Sequence, residues 1–401
     1  MKYFHDTLRG KPILFGYARG IEDLGEVAQF CRMHKGRVLG IDTESTGLNC
    51  YHPDWLLRTV QIGNANRAYV VPARFTEFIK WVMRRDIKWL GHNGTHDIRC
   101  IDAHLGYETG VECAGETYIP SHHFDSRNAQ EGGISHGLKE QAIAYVDPEA
   151  GKWEEDLKRV FKTIEIPVPG EVYKSGPRRG SQKVRKARLD EGWGLIDPEH
   201  PAYIKYAAAD PILTYHLWHH YKSVVQGNVK LYRFDKRVQW AADRLQRRAI
   251  KLDVDYTTRL SAAYTREANK RILTIKHFGC ENYNSGQQVA ATLERLGVRL
   301  TEQTPTGQLK TSDDVLRSVL TDPTVPPEAA KFIQSVLVAK QMLKRRESYA
   351  EAMLGERDTA DRIHPSINIL GARTARMSVS KPALQQLPTK DRDDEGWASD
   401  E

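Results

Sequence analysis

Two acidic residues stand two positions apart where an apolar run ends, and their types and spacing suit metal chemistry. In the stretch GIDTESTGL they are Asp42 and Glu44. Side chains at positions i and i+2 leave the same face of a strand, and α/β folds place their sites at the carboxyl ends of strands. Two like charges this close stay ionised together most readily when a hard cation lies between them. The pair indicates a divalent-metal site, with an ordinary surface strand end as the alternative.

Two further acidic residues each have a polar partner four positions away. HNGTHD holds Asn93 and Asp97, and YAAAD holds Tyr206 and Asp210. Residues four apart on a helix share a face, so the Tyr206 hydroxyl and the Asp210 carboxylate are expected side by side. Structural explanations compete for both pairs. The helix dipole favours an acid in a first turn, and a tyrosine beside an acid is commonly packing plus a surface charge.

Strand-like and helix-like patterns alternate around the first three of these acids, which predicts an α/β layer between about residues 38 and 98. Helical spacing of apolar side chains predicts a helix over 75–85, and Thr95 is the expected N-cap of the next helix. Four short apolar runs predict strands at 38–41, 59–64, 68–73 and 89–93. The strands at 59–64 and 68–73 are expected to pair in a hairpin.

The chain changes character after this layer. Residues 174–188 contain seven Lys or Arg and no acid, which predicts a mobile loop that either lies along phosphates or is simply a solvated insertion. From Ala202 onward the sequence is predominantly helical. One long helix is expected to bend at Pro211, and two amphipathic stretches predict a helical second domain that begins near residue 225.

Composition narrows the class of protein. The 401 residues suffice for two or three domains. The net charge of +7 is compatible with a polyanionic partner and with a merely solvated basic surface. The odd number of cysteines and the absence of a C-x-x-C pair exclude a disulfide framework or a zinc knuckle, and they indicate reduced thiols. Without an apolar run of membrane length or a leader, we expect a soluble cytoplasmic protein with no membrane partner.

The order and context of the acidic motifs resemble the DEDDy group of 3′-5′ exonucleases. In this order come Asp-x-Glu-x-Thr-Gly after a strand, Asn-x-x-x-Asp at a strand-to-helix junction, and Tyr-x-x-x-Asp on a late helix. FDS at 124–126 and HGLKEQA at 136–142 resemble the connecting strand and helix of that group. The resemblance implies a ribonuclease H-like domain, a mixed sheet flanked by helices.

The same resemblance implies a two-metal site that uses Mg²⁺ or Mn²⁺ and acts on DNA 3′ ends. In that group's scheme, Asp42 would bridge both metals, and Glu44 and Asp210 would hold the metal that carries the attacking water. Asp97 would secure the second metal through water, and Tyr206 would orient the nucleophile. Asn93 is a secondary candidate for substrate contact.

The second half of the chain resembles family A DNA polymerases. Residues 282–298 and 304–320 are similar to the thumb of that family, and residues 362–388 resemble its entry into the palm. Ala375 and Ala383 stand where the family pattern has glycine and asparagine.

In that palm entry, the residues matched to primer-template binding are Arg373, Arg376 and Gln385. The expected organisation is an α/β ribonuclease H-like exonuclease domain, a mainly helical thumb-like domain and an incomplete palm segment. Its bounds are a lead-in at 1–35, the exonuclease domain at 36–224 with a basic loop insertion at 148–200, the thumb-like region at 225–361, and a truncated palm with an acidic tail at 362–401.

The palm and fingers motifs needed for polymerisation do not follow Pro388. Three explanations are compatible with this. The gene is split and a second polypeptide carries the fingers and the rest of the palm, the product is truncated, or the protein is reduced to proofreading and DNA binding. Two other functions stay open, a stand-alone exoribonuclease resembling ribonuclease D and a non-catalytic DNA-binding subunit. The basic insertion resembles polymerases of actinobacterial phages, which implies the cytoplasm of a phage-infected bacterium.

Overall fold

The structure is a computed structural model that describes residues 1–387, and these residues divide into two units. Unit 1 comprises Met1–Ala249 together with Ile367–Ser378. Unit 2 comprises Ile250–Ser366 and the described residues from Val379 onward. The acidic tail predicted after Pro388 lies outside the described residues.

A seven-stranded mixed sheet forms the centre of unit 1, in the order β1-β2-β5-β4-β3-β6-β7. Its two hairpins, β1 with β2 and β4 with β5, are antiparallel, as is β3 with β4, whereas β6 runs parallel to β3 and to β7. The predicted hairpin and the mixed sheet are thus confirmed. The strands are β1 (Lys2–Leu8), β2 (Lys11–Tyr17), β3 (Val38–Ser45), β4 (Leu57–Gly63), β5 (Arg67–Pro72), β6 (Lys88–Gly91) and β7 (Gly115–Glu116).

Helices cover both faces of this sheet, because successive residues of β5 point to opposite sides. Tyr69 and Val71 belong to the buried cluster with α1, α2 and α3, and Ala68 and Val70 to the cluster with α5, α6 and α8. The helices of unit 1 are α1 (Leu24–Met33), α2 (Thr76–Met83), α3 (Thr95–Leu105), α4 (Tyr118–Phe124), α5 (Leu138–Tyr145), α6 (Lys152–Phe161), α7 (Leu189–Leu195), α8 (Pro201–His220), α9 (Lys222–Gly227) and α10 (Val229–Arg248).

The close approach of α8 to β3 decides where the late acidic motif lies. A Cβ atom on Gly40 of β3 would lie 2.8 Å from the Cα atom of Pro211, so only glycine leaves room for the helix. Pro211 lies inside α8 and has no N–H to donate to the helix. Asp210, the residue before it, is therefore held beside the end of β3 that carries Asp42.

Unit 2 is mainly helical, as predicted for the thumb-like region. Phe332, Ile333, Leu293 and Leu316 are fully buried in its core. Its helices are α11 (Val254–His277), α12 (Gly286–Arg295), α13 (Asp313–Leu320), α14 (Pro327–Arg345) and α15 (Ala352–Glu356), with a π-helical turn at Arg346–Glu351 between the last two. Four short strands follow residue 249, β10 (Ile250–Lys251), β11 (Arg362–Ile363), β12 (Ser366–Asn368) and β13 (Ser378–Ser380). Residues 367–368 of β12 and Ser378 of β13 belong to unit 1.

The predicted loop at 174–188 is wrong in part. The structure forms an antiparallel hairpin there, from β8 (Glu165–Val172) and β9 (Gln182–Lys186). The rest of the 148–200 insertion contains α6 and α7, and Trp153 of α6 is buried in the core of unit 1. The basic composition indicates that this segment buries no core, but it does not predict whether the backbone forms paired strands.

Two local predictions are also corrected. Gly94, not Thr95, is the N-cap of α3, because Ile98 N–H donates to the Gly94 carbonyl and Thr95 is already helical. Residues 124–126 do not form the predicted strand. Phe124 ends α4, and the strand that precedes α4 is β7 at Gly115–Glu116.

The unit boundary falls at Ala249, whereas the sequence organisation began the helical region near residue 225. Helix α10 belongs to unit 1 because buried ion pairs join it to α3, Arg99 to Asp243 at 2.6 Å and Arg247 to Asp102 at 2.8 Å. Residues 1–35, set apart as a lead-in, supply β1, β2 and α1 to the same unit.

The cysteines and the lengths of the helices bear on the sequence expectations about disulfides and membrane spans. Each of the five cysteines is buried and unpaired within residues 1–387. In the same range no helix has both the length and the apolarity needed to cross a bilayer.

Candidate active site

Three carboxylates from two elements meet at the end of β3. Asp42 and Glu44 project from β3, and Asp210 comes from α8. One oxygen of each lies within 4.8 Å of the others, and Glu44 and Asp210 are buried. Oxygen ligands of a common divalent cation lie about 4–5 Å apart at most, since each sits about 2.0–2.6 Å from the ion. The donor set therefore fits a hard cation such as Mg²⁺ or Mn²⁺.

Asp97 lies next to this group, and Thr43 fixes its carboxylate. The Thr43 hydroxyl donates a 2.7 Å hydrogen bond to Asp97 Oδ1. Asp97 is buried in the first turn of α3, and its charge interacts with that of Asp42. The structure thus brings all four predicted acids to one end of the sheet, three of them within reach of a single ion.

Lys139 of α5 enters the same cluster, and sequence reasoning did not single it out. Its buried ammonium forms an ion pair with Asp210 Oδ1 and lies 4.1 Å from the centroid of the Tyr206 ring. Charge pairing and the contact with the ring face both favour the protonated amine here. A cation of the chain itself therefore partly neutralises the acids.

Tyr206 is held between Lys139 and an aromatic residue from the insertion. The Trp193 ring on α7 lies 5.4 Å from the Tyr206 ring, centroid to centroid. Arg58 of β4 donates to the carbonyl oxygens of Trp193 and Ile196 and so ties α7 to the sheet. Because its ring is packed on two sides, the position of Tyr206 beside the acids is well defined.

Burial dominates the electrostatics of the acids. It raises the pKa of Asp42 to about 7, against the pull of the Lys139 ammonium. Burial and the Asp42 charge raise the pKa of Glu44 well above its usual range, and the same two causes raise that of Asp97. Burial lowers the pKa of Lys139 to about 8, although Asp42 and Glu44 oppose the change. Strongly coupled acids of this kind are typical of functional sites.

A fifth carboxylate, Glu116 of β7, builds the corner that carries Asp97. It accepts backbone hydrogen bonds from Asn93 at 2.6 Å, Gly94 at 2.8 Å and Tyr118 at 2.9 Å. Asn93 itself is exposed with a φ of 61°, a left-handed conformation that asparagine tolerates better than most residues. Its side-chain oxygen accepts a hydrogen bond from Gln239 Nε2 at 3.3 Å. Asn93 therefore has a structural role in this corner, whether or not it contacts substrate.

Two family models match the chain in separate regions. Residues 18–150 match a model described as "3'-5' exonuclease", and residues 254–397 match one described as "DNA polymerase family A". The DNA polymerase of Mycobacterium phage L5 is 27% identical over 382 residues, which cover 92% of this chain and 59% of that protein. The DNA polymerase of Mycobacterium phage D29 is 27% identical over 396 residues, 96% of this chain and 61% of that protein.

The chain is thus similar to family A DNA polymerases over residues 254–397 and to 3'-5' exonucleases over residues 18–150. It spans about three fifths of the length of these two phage relatives. The fold agrees with a solved structure, the POL domain of Pol1 from M. smegmatis in complex with DNA primer-template and dNTP. That match has a TM-score of 0.61 at 15% identity and covers 94% of this chain and 56% of the other. The ribonuclease H-like exonuclease with a helical thumb is the fold that the sequence predicted.

The palm-entry residues of the family A pattern lie in separate units. Arg373 and Arg376 are exposed and belong to unit 1, whereas Gln385 belongs to unit 2. Gln385 Oε1 accepts from the backbone N–H of Val379 at 3.1 Å, which gives its side chain a local structural role. Ala375 adopts a left-handed φ of 55°, so the family's glycine at this position has a conformational reason.

Sequence reasoning missed three residues of the site for different reasons. Lys139 stands inside the quoted HGLKEQA motif, but a lysine on a helix gives no sign that it is buried. Glu116 was overlooked because the connecting strand was placed at 124–126. Trp193 lies in the polar insertion, where a lone aromatic residue close to two glycines was the available signal.

Proposed function

We propose that unit 1 is a metal-dependent 3′-5′ exonuclease that removes 5′-mononucleotides from DNA 3′ ends. The observation that carries the proposal is the meeting of Asp42, Glu44 and Asp210 oxygens at the carboxyl end of β3. Asp97, fixed by Thr43, stands beside them. A buried set of hard oxygen donors has few uses other than holding divalent cations.

In the proposed reaction, Asp42, Glu44 and Asp210 would hold one cation, and Asp97 together with Asp42 would help to hold a second. Bound in pairs, such ions supply a hydroxide nucleophile and stabilise the leaving 3′-oxygen of an in-line displacement. Tyr206 orients the attacking water with its hydroxyl, since its ring is fixed between Lys139 and Trp193. Lys139 is close enough to these acids to share in balancing the negative charge of the substrate phosphate.

The substrate part of the proposal is DNA with a single-stranded or frayed 3′ end, in the setting of DNA replication in a phage-infected bacterium. Two features support it. The chain carries a surplus of seven positive charges, and Arg373 and Arg376 are exposed on the same unit as the site. We propose that these two arginines and Gln385 contact the sugar-phosphate backbone of a primer-template.

The decisive experiment follows a 5′-labelled oligodeoxynucleotide in Mg²⁺ or Mn²⁺. We expect a ladder that shortens from the 3′ end, and its rate falls by at least about 10³-fold in Asp42→Asn and Asp210→Asn, which each lose a metal ligand. Asp54→Asn is the matched control, because the Asp54 side chain is 93% exposed. An intact oligonucleotide with the unaltered protein contradicts the proposal, and faster cleavage of an RNA of the same sequence points to an exoribonuclease instead.

A further inference from the structure

The hairpin of β8 and β9 has no structural task that its sequence explains. Its register runs from Glu165 opposite Lys186 to Val172 opposite Gln182, and residues 173–181 form the turn. None of its thirteen strand residues is buried. A hairpin of this kind contributes little apolar burial to unit 1, so its packing does not explain its sequence.

Charge is what distinguishes this hairpin. Residues 165–188 contain seven Lys or Arg against two Glu, a surplus of five, while the whole chain has a net charge of +7. Some of these cations are neutralised locally, Lys183 by Glu171 at 2.8 Å and Lys186 by Glu165 at 3.1 Å. Lys174 and Arg179, both exposed in the turn, have no ion-pair partner among residues 1–387. The turn therefore presents two free cations to solvent.

The base of the hairpin is anchored at the acidic site. Arg185 of β9 pairs with Glu191 of α7 at 2.7 Å, and Glu191 also accepts from the backbone N–H of Arg188. Two residues further along α7, Trp193 packs on Tyr206. The basic hairpin is thus joined through α7 to Tyr206, which stands beside the acids. Cations joined to an acidic site raise the local concentration of a polyanionic substrate that the acids alone would repel.

We propose that this hairpin binds the phosphate backbone of the single strand whose 3′ end enters the acidic site. The inference rests on the proposed exonuclease function and adds to it a second binding region upstream of the scissile bond. Lys174 and Arg179 are the contacts, and they act without base specificity because only charge and reach are needed. Eight residues of β8 extend on the order of 20 Å, so the contact lies several nucleotides from the 3′ end.

The test compares two double variants that remove the same charge. Lys174→Gln with Arg179→Gln alters the hairpin, and Arg37→Gln with Lys88→Gln is the control. Arg37 and Lys88 are exposed and lie at the amino ends of β3 and β6, whereas the acids lie at the carboxyl end of β3. For a 20-nucleotide strand we expect the KM of the hairpin variant to rise about tenfold, while the control stays within twofold.

Salt and substrate length identify the contact. Loss of two phosphate contacts lowers the slope of log K against log salt by about 1.4 for single-stranded DNA. The effect on KM is expected to vanish for a trinucleotide, which is too short to reach the turn. Circular dichroism and melting temperature of both variants are expected to match the unaltered protein, since the four residues are exposed.

Three outcomes overturn the inference: no change in KM or salt slope for the hairpin variant, an equal change in the control, or an equal change for trinucleotide and 20-mer. Binding of the 20-mer measured in EDTA by fluorescence anisotropy keeps the two proposals apart. If the unaltered protein fails to cleave DNA but the hairpin variant still binds it more weakly than the control does, the exonuclease proposal fails and the hairpin contact stands.

Discussion

At the scale of single residues, Lys139 is a buried ammonium whose counter-charges are the acids proposed to bind metal. A buried ammonium is costly to desolvate, yet this one lies against Asp210 and close to two other acids. Without a metal it compensates charge that would otherwise repel. With a metal bound, the same charge is partly redundant. On the proposed metal-dependent function, Lys139 links the stability of the metal-free protein to its affinity for divalent ions.

Lys139→Met keeps the length and apolar bulk of the side chain and removes the charge. We expect the metal-free variant to lose roughly 3 kcal/mol of unfolding free energy, because the buried acids lose their counter-ion. Saturating Mn²⁺ is expected to raise its melting temperature more than that of the unaltered protein. Differential scanning fluorimetry with and without Mn²⁺ measures both effects. Lys158→Met, in an exposed pair with Glu154, serves as control, and equal metal-free melting of the two variants would contradict this role.

The four acids of the site could be predicted because each stands in a motif with a local geometric meaning. Asp42 and Glu44 share a strand face. Asp210 lies four residues after Tyr206 on α8, so the two share a helix face. Lys139 and Glu116 could not be predicted from spacing. Their roles depend on burial and on partners far away in the sequence, which only the folded sheet brings together.

At the scale of elements, α6 shows how composition can mislead. The segment containing it was treated as a loop because its surroundings are basic and polar. Trp153, Leu157 and Phe161 are nevertheless four residues apart and buried on one face. Asp6 of β1 accepts from Lys152 Nζ and from Trp153 Nε1, each at 2.9 Å. The helix is thereby fixed to the edge strand of the sheet.

This attachment predicts a pH dependence. Burial alone would raise the pKa of Asp6, but the hydrogen bonds from Trp153 and Lys152 outweigh it and hold the pKa below its usual value. A carboxyl group with a lowered pKa in the folded state stabilises the fold above its unfolded pKa of about 4, and this stabilisation is lost as the pH falls through the folded value. Asp6 therefore stabilises unit 1 at pH 7 and not in acid.

Asp6→Asn is expected to lower the unfolding free energy by about 1 kcal/mol at pH 7, because the charge-assisted bonds to α6 are lost. The difference from the unaltered protein narrows as the pH falls below about 4. Urea unfolding at several pH values between 7 and 3.5 measures the trend. Asp54→Asn, at a highly exposed position, is expected to show no such trend, and a constant deficit for Asp6→Asn at all pH values would contradict the argument.

At the scale of the whole molecule, the chain returns to unit 1 after building most of unit 2. Ile369 and Leu370 are buried in unit 1 against Ile119, Tyr232 and Ala242. The Tyr118 hydroxyl donates to Asn368 Oδ1 at 2.9 Å. Sequence analysis assigned these residues to a palm segment, because periodicity over so short a stretch cannot reveal which unit it packs against. The sequence pattern likewise does not show that β1, β2 and α10 belong to unit 1, because their partners lie far away in the sequence.

Since Ile367–Ser378 is part of unit 1, a defect there should loosen unit 1 and leave unit 2 intact. Leu370→Ala is expected to cost about 3 kcal/mol through the cavity it creates. Hydrogen exchange locates the loss: amides in α4 and α10 exchange faster, while those in α14 keep their protection. Leu316→Ala, fully buried in unit 2, is the matched control with the opposite pattern. Faster exchange in α14 alone after Leu370→Ala would mean that the segment belongs to unit 2 after all.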